Sequence, residues 1–245
     1  MADNHADFIV LGAGPGGYAC AFRAADLGRK VVLVDPRATL GGVCLNEGCI
    51  PSKALLHAAE IIREARHGGD WGISTGEVSV DLDTLRARKD GIVEQLTGGL
   101  VGLAKRRKVQ VVRGTARFTG PKSLDIDGSS WSFDQAVISV GSAPVRLPGW
   151  PEDDRIWDST DSLDLREVPK RLTIVGGGII GLESSENDII HILSDYIGDL
   201  ILNPAHASRN AQSRRHRWAS TPNATFRQIC KSVRPIRVWY ACSLK

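Results

Sequence analysis

The sequence predicts an α/β fold built on a parallel sheet, from three neighbouring patterns. A short apolar run over residues 8–11 ends at Gly12. Ala-rich helical spacing over residues 18–27 then stops at Gly28, a residue suited to a helix C-terminal cap. A Val-rich run over residues 30–34 follows and ends at Asp35. Strand, helix and strand within about 30 residues make a βαβ unit, and its crossover forces the two strands to be parallel.

The later elements follow in order. Residues 51–65 and 82–105 carry helical spacing, the second mostly polar. Short alternating runs at 109–112, 117–119, 123–126 and 131–133 are punctuated by Gly114, Gly120-Pro121 and Asp127-Gly128. They predict a small antiparallel meander inserted in the first domain. An apolar strand at 135–140 runs into Gly141-Ser142. Pro144, Pro148, Pro151 and the acidic Glu152-Asp153-Asp154 mark a linker. A second apolar strand at 171–175 meets Gly176-Gly177-Gly178-Ile179-Ile180-Gly181, repeating the opening of the first unit. Residues 187–202 have the spacing of one amphipathic helix, and no period is sustained after Asn203. The expected boundaries are 1–148 for the first domain, 149–170 for the linker, 171–202 for an incomplete second fold and 203–245 for a tail.

Composition narrows the class. A hydrophobic fraction of 42% with 24% charged residues is that of a globular chain, and 245 residues suit one or two domains. Charges interrupt every apolar stretch before the ~18 residues a membrane helix needs. The opening Met1-Ala2-Asp3-Asn4-His5-Ala6-Asp7 has no basic n-region and no apolar h-region, so a cytoplasmic, reducing setting is expected. Five cysteines is an odd number, and any disulfide in such a setting is expected to be catalytic. The net charge of +3 hides a split: residues 203–245 hold nine Lys and Arg and no Asp or Glu, leaving −6 on the preceding residues.

Gly12-Ala13-Gly14-Pro15-Gly16-Gly17 stands where strand meets helix, with Asp35 at the end of the next strand. Gly12 permits the tight turn, Gly14 admits a pyrophosphate to the backbone, and Gly17 lets helix and strand pack closely. Free N–H groups at the helix start hold the phosphate charge, and Asp35 can accept from ribose hydroxyls. A second Gly-rich segment is Gly41-Gly42-Val43-Cys44-Leu45-Asn46-Glu47-Gly48-Cys49-Ile50-Pro51-Ser52-Lys53. In a regular helix its two cysteines would rise about 7.5 Å relative to each other, beyond the ~7 Å Cα limit for a disulfide. A bridge therefore needs an irregular first turn, which Gly48 and Pro51 allow. Two unlinked thiols or half a metal site are the alternatives; no Cys or His cluster follows at zinc spacing, so no metal is expected.

These segments resemble the flavoprotein disulfide reductase family. The likeness continues through Gln95-Leu96-Thr97-Gly98-Gly99-Leu100, Gly114-Thr115-Ala116-Arg117-Phe118, Val140-Gly141-Ser142, Ile156-Trp157-Asp158-Ser159-Thr160-Asp161 and Gly176 to Glu183. Ile50-Pro51-Ser52-Lys53 points to the lipoyl branch, since glutathione reductases typically have a second Lys in place of that Ser. The resemblance implies a Rossmann-like FAD-binding domain and the start of a second, NAD-binding fold. It implies FAD held by Gly12, Gly14, Gly17, Asp35, Gly42, Val43, Lys53, Ala116, Gly141 and Ser142. It further implies a redox-active disulfide between Cys44, the interchange thiol, and Cys49, stacked by the flavin. Gly176, Gly178 and Gly181 would begin the NAD site. Electrons would pass from dihydrolipoamide to the disulfide, to FAD and to NAD+. The implied partners are lipoyl domains of a 2-oxo-acid dehydrogenase complex and a second copy in a homodimer. The family usually has Glu where this chain has Asp35.

After Glu183 the likeness ends. The family's general base is a His held by a Glu in a C-terminal domain, and no Asp or Glu occurs after Asp199. The expectation is a truncated or frameshifted form with little activity, its basic tail a segment unlike the rest. Another flavin disulfide reductase, or a non-catalytic flavin- or nucleic-acid-binding fragment, is the alternative; a nucleic-acid partner is disfavoured.

Overall fold

The computed structural model describes residues 4–144, 150–169, 172–175, 180–181 and 237–240. The chain divides into two compact units, one of Met1–Pro51 with Asp90–Ala143 and the other of Ser52–Lys89 with Pro144–Lys245.

The first unit is built on a six-stranded sheet. Strands β1 (His5–Leu11), β2 (Val31–Asp35) and β3 (Gln110–Arg113) join β4 (Ala116–Gly120), β5 (Ser123–Ile126) and β6 (Ser129–Ile138) in the order β3-β2-β1-β6-β5-β4. β1 pairs in parallel with β2 and β6, and β2 pairs in parallel with β3. Helix α1 (Pro15–Asp26) is the crossover between β1 and β2, and Gly28 closes it at φ +81. Both faces of the central strands are covered, which is why 31–34 reads as an unbroken apolar run. Val10, Val31 and Leu33 pack with Phe22, Leu100 and Ala104 on one side. Ile9, Leu11, Val32 and Val34 pack with Leu124, Ile126, Trp131 and Phe133 on the other.

Two expected elements are arranged differently. The run at 109–112 does not enter the meander: β3 continues the parallel sheet beside β2, because Val111 and Val112 find register with Leu33 and Val34. The runs at 131–133 and 135–140 are one ten-residue strand, β6. Its first half pairs antiparallel with β5 and its second half parallel with β1, so one strand closes the meander and joins the central sheet.

The redox-motif region forms α2 (Gly42–Glu47) and α3 (Cys49–His67), and the long polar helix is α4 (Leu82–Arg106). In the second unit, residues 149–170 contain more than a linker. A two-residue strand β7 (Ile156–Trp157) leads into α5 (Ser159–Asp164). Asp158 and Asp161 close a capping box on α5, satisfying two backbone donors reciprocally. β8 (Leu172–Val175) lies where a second strand is expected. From the tail, Arg237–Tyr240 forms β9, which runs parallel between β7 and β8. Leu55, Ala59, Trp157, Leu165, Leu172 and Ile174 form this unit's core, and the buried Lys89 ammonium donates to the Leu163 carbonyl at 2.9 Å. The expected helix over 187–202 lies outside the described residues. No helix among the described residues is long and apolar enough to cross a membrane.

Candidate flavin and dithiol site

The site begins where β1 ends. Gly12 turns the chain at φ +98, and its N–H donates to the Val34 carbonyl at 2.7 Å. A Cβ at Gly12 would overlap the Ser139 carbonyl, and one at Gly17 would overlap the Gly12 carbonyl. Both glycines are therefore required by backbone packing. Gly14 is different: the nearest atom to a Cβ there is the Gly42 Cα at 3.8 Å. Gly14 is also the N-cap of α1 and has no side chain to satisfy the helix's first N–H groups. Pro15 follows at the start of the helix, where its missing N–H costs nothing. The result is an open helix N-terminus carrying unsatisfied donors and the positive end of the helix dipole.

Asp35 is the buried acid at the end of β2, only 8% exposed. Its Oδ2 accepts from the Ala13 N–H at 2.6 Å and its Oδ1 from the Arg37 N–H at 2.8 Å. The carboxylate thus ties the Gly loop to the next strand. Each oxygen keeps a lone pair for a further donor.

The second Gly-rich segment folds back on the first. The Gly41 N–H donates to the Ala13 carbonyl at 2.9 Å. Gly42 stands at φ +59, and a Cβ on it would lie 2.6 Å from the Gly14 Cα. Two motifs nearly thirty residues apart therefore meet backbone to backbone. Asn46 holds this loop from α2, donating through Nδ2 to the Leu40 and Gly42 carbonyls at 3.1 and 2.8 Å. Its Oδ1 accepts from the Thr39 hydroxyl at 3.1 Å.

Cys44 lies in α2, half-buried, and Cys49 begins α3, exposed. Gly48 interrupts the helix between them at φ −143 and ψ −112, so the pair does not share one regular helix. Both cysteines carry thiols here. Val43 is half-buried in α2, while Lys53 is exposed on α3 in the chain segment assigned to the second unit. The Arg37–Glu47 ion pair across this loop, at 3.0 Å, is well exposed and adds little stability.

The end of β6 completes the arrangement. The Ser139 N–H donates to the Leu11 carbonyl at 2.7 Å, which ties the end of β6 to the residue before the Gly12 turn; Gly141 (φ +72) and Ser142 follow two and three residues after Ser139. Ala116 opens β4, two residues after the Gly114 N–H that donates to the Asp35 carbonyl at 3.1 Å. The C-terminal ends of β1, β2 and β6 thus converge, the position where open α/β sheets bind ligands. Ser139 and Asn46 carry no pattern in the sequence that marks them for these roles, whereas Gly114 stands out there as a glycine at a strand end. In the second motif, Gly181 is buried and helical, whereas Gly176 and Gly178 lie outside the described residues.

Comparison with known proteins agrees with this geometry. The family described as pyridine nucleotide-disulphide oxidoreductase matches residues 6–190. Dihydrolipoyl dehydrogenase of Haemophilus influenzae is 59% identical over 181 residues, covering 71% of this chain and 38% of that protein. That of Vibrio cholerae is 55% identical over 183 residues, and that of Bacillus subtilis 46% over 181, each also covered to 38%. The chain therefore spans 38% of the length of these curated relatives. The HOCl-induced flavoprotein disulfide reductase RclA from Escherichia coli matches with a TM-score of 0.65 at 26% identity, over 80% of this chain and 41% of that one. Built on this sheet and matched over most of its length, the chain belongs to the pyridine nucleotide-disulphide oxidoreductase family.

Proposed function

We propose that the chain carries the dithiol-exchange site of a dihydrolipoyl dehydrogenase, held against an FAD site at the C-terminal ends of β1, β2 and β6. The observation that carries the reading is the join of the two Gly-rich loops at Gly14 and Gly42, the first residue of the helix that bears Cys44. The identity to dihydrolipoyl dehydrogenases supports the choice of substrate.

The residues suit FAD, the cofactor this family implies. Gly14 leaves room for a pyrophosphate, and the uncapped start of α1 offers it N–H donors. Gly12, Gly17 and Gly42 set the cradle, and Asp35 offers its remaining lone pairs to a ribose. Val43, Lys53, Ala116, Gly141 and Ser142 would line the rest. Bound FAD would supply a two-electron relay from the cysteines to NAD+. Gly176, Gly178 and Gly181 would serve NAD+.

The exchange belongs to the cysteines. One thiolate of dihydrolipoamide attacks the Cys44 sulfur of a Cys44–Cys49 disulfide, forming a mixed disulfide and releasing the Cys49 thiolate. The second substrate thiolate then attacks its own mixed-disulfide sulfur. Lipoamide closes its ring, Cys44 leaves as thiolate, and the pair has gained two electrons. Half-burial of Cys44 and exposure of Cys49 give the two sulfurs different surroundings. Lipoyl domains of a 2-oxo-acid dehydrogenase complex would deliver the substrate, to a homodimer in a cytoplasmic setting.

The test is anaerobic mixing of oxidised protein with dihydrolipoamide. About one lipoamide per chain is expected, with none from Cys44→Ser. Equal release from Cys44→Ser would overturn the assignment. Reduction by glutathione but not by dihydrolipoamide would identify another disulfide reductase.

A further inference from the structure

We infer that the chain carries a divalent-metal site at the opposite end of the first sheet, formed by His5, Asp7 and Asp134. Each can offer one ligand atom, and these atoms lie within 4.8 Å of one another. His5 and Asp7 share a face of β1 by strand alternation, and Ser132 and Asp134 share a face of β6. The parallel register pairs His5 with Ser132 and Ala6 with Phe133, which brings Asp134 beside Asp7. The sequence could not announce this group, because more than 120 residues separate β1 from Asp134.

The ligands are held by a second layer of contacts. His5 Nδ1 lies 2.9 Å from the Ser132 hydroxyl. With Nδ1–H donating there, the Nε2 lone pair faces the Asp134 carboxylate, whose Oδ1 stands 3.8 Å away. Such an outer-shell hydrogen bond orients metal-bound imidazoles in general. The Asp7 Oδ2 accepts from the Lys30 N–H at 2.8 Å, which fixes the second carboxylate. Two donors bound to one Zn2+ at about 2.1 Å stand no more than about 4.2 Å apart, so the observed spacing needs only a small closure.

A surface ion pair between His5 and Asp134 is the simpler use of these groups, and the two side chains are 39% and 60% exposed. Asp7, held by the Lys30 N–H, brings a second carboxylate to that pair, and one divalent cation could take a ligand atom from all three residues at once. One nitrogen and two oxygens, without thiolate, suit Zn2+ or a neighbouring transition ion and not Cu+. Seven strand residues at about 3.3 Å each put the group about 20 Å from the Gly12 turn, so the ion clamps β1 to β6 and takes no part in electron transfer.

The test titrates Zn2+ into the full chain after alkylation of its thiols, which removes Cys44 and Cys49 as competing ligands. Binding is followed by calorimetry and by the 15N resonances of the His5 ring. The expected result is a site whose occupancy shifts the Nε2 resonance, weakened at least tenfold in His5→Ala and in Asp134→Asn, with circular dichroism unchanged. Ser132→Ala should weaken it by up to about tenfold. Absence of binding to the alkylated protein, or equal binding in both ligand variants, would overturn the proposal.

Discussion

Gly42→Ala is the most informative single change at the cofactor loops. Gly42 lies at φ +59, in the left-handed region, and its added Cβ would stand 2.6 Å from the Gly14 Cα and 3.2 Å from its nitrogen. Ordinary contact begins near 3.4 Å, so the two loops must part by close to an ångström. Neither obstacle is a flexible side chain. Left-handed backbone at a non-Gly residue with a backbone overlap costs of order 1–3 kcal/mol. In the free protein the loops can separate and release that strain; with a pyrophosphate across them they cannot. The cost therefore falls on binding and weakens FAD affinity by about 5- to 140-fold, at 1.4 kcal/mol per factor of ten. The assay is quenching of flavin fluorescence on titration. Gly98→Ala is the matched control: it lies within α4, where a Cβ meets nothing within 4 Å. It should leave FAD affinity alone and raise stability by about 0.5–1 kcal/mol. If Gly42→Ala binds FAD like the parent, the two loops do not form one cradle.

Three further outcomes are expected. Asp35→Asn should lower the thermal midpoint, because one of the two N–H groups of Ala13 and Arg37 then faces an amide NH2; a lost acceptor of this kind costs about 1–3 kcal/mol, and an unchanged midpoint would remove Asp35 from its bracing role. Leu33→Ala, at a fully buried position, should destabilise the first unit by about 2–5 kcal/mol in urea unfolding; a loss near zero would mean that the sheet is not packed on both faces. At the start of α4, hydrogen bonds from Thr84, led by its backbone N–H, and from the Asp83 N–H hold the Asp81 carboxyl below its ordinary value of 3.8. That stabilisation is complete above about pH 4 and fades as the pH falls through the lowered folded-state value. The stability gap between parent and Asp81→Ala, followed by circular dichroism, should close on acidification through this range, and a gap constant with pH would contradict it.

What was legible in the sequence was local. The Gly12 turn, the α1 crossover and Asp35 lie within a span of 24 residues and obey one packing geometry. The positions of Cys44 and Cys49 about Gly48 are likewise set by a neighbouring residue. What was not legible depends on pairing across long separations. Val111 and Val112 alternate as a meander strand would, yet their partners are Leu33 and Val34. β6 reads as two runs because Asp134 interrupts its apolar pattern, whereas its backbone continues through that residue. The meeting of Gly14 with Gly42 has no sequence period at all. β7 is two residues long, too short for any alternation, although the Asp158–Asp161 capping box was a readable sign of α5. β9 comes from a segment without sustained pattern and takes its order from β7 and β8 on either side.

The most direct test of the central claim, that Cys44, Cys49 and the joined Gly loops form one flavin site, is the visible spectrum of the FAD-loaded chain during anaerobic two-electron reduction. A long-wavelength thiolate-to-flavin charge-transfer band should grow in with the parent, be present in Cys44→Ser before any reduction and bleach as its flavin is reduced, and be absent from Cys49→Ser. Failure to take up FAD, or a flavin spectrum that reduces without this band in the parent protein, would contradict the account.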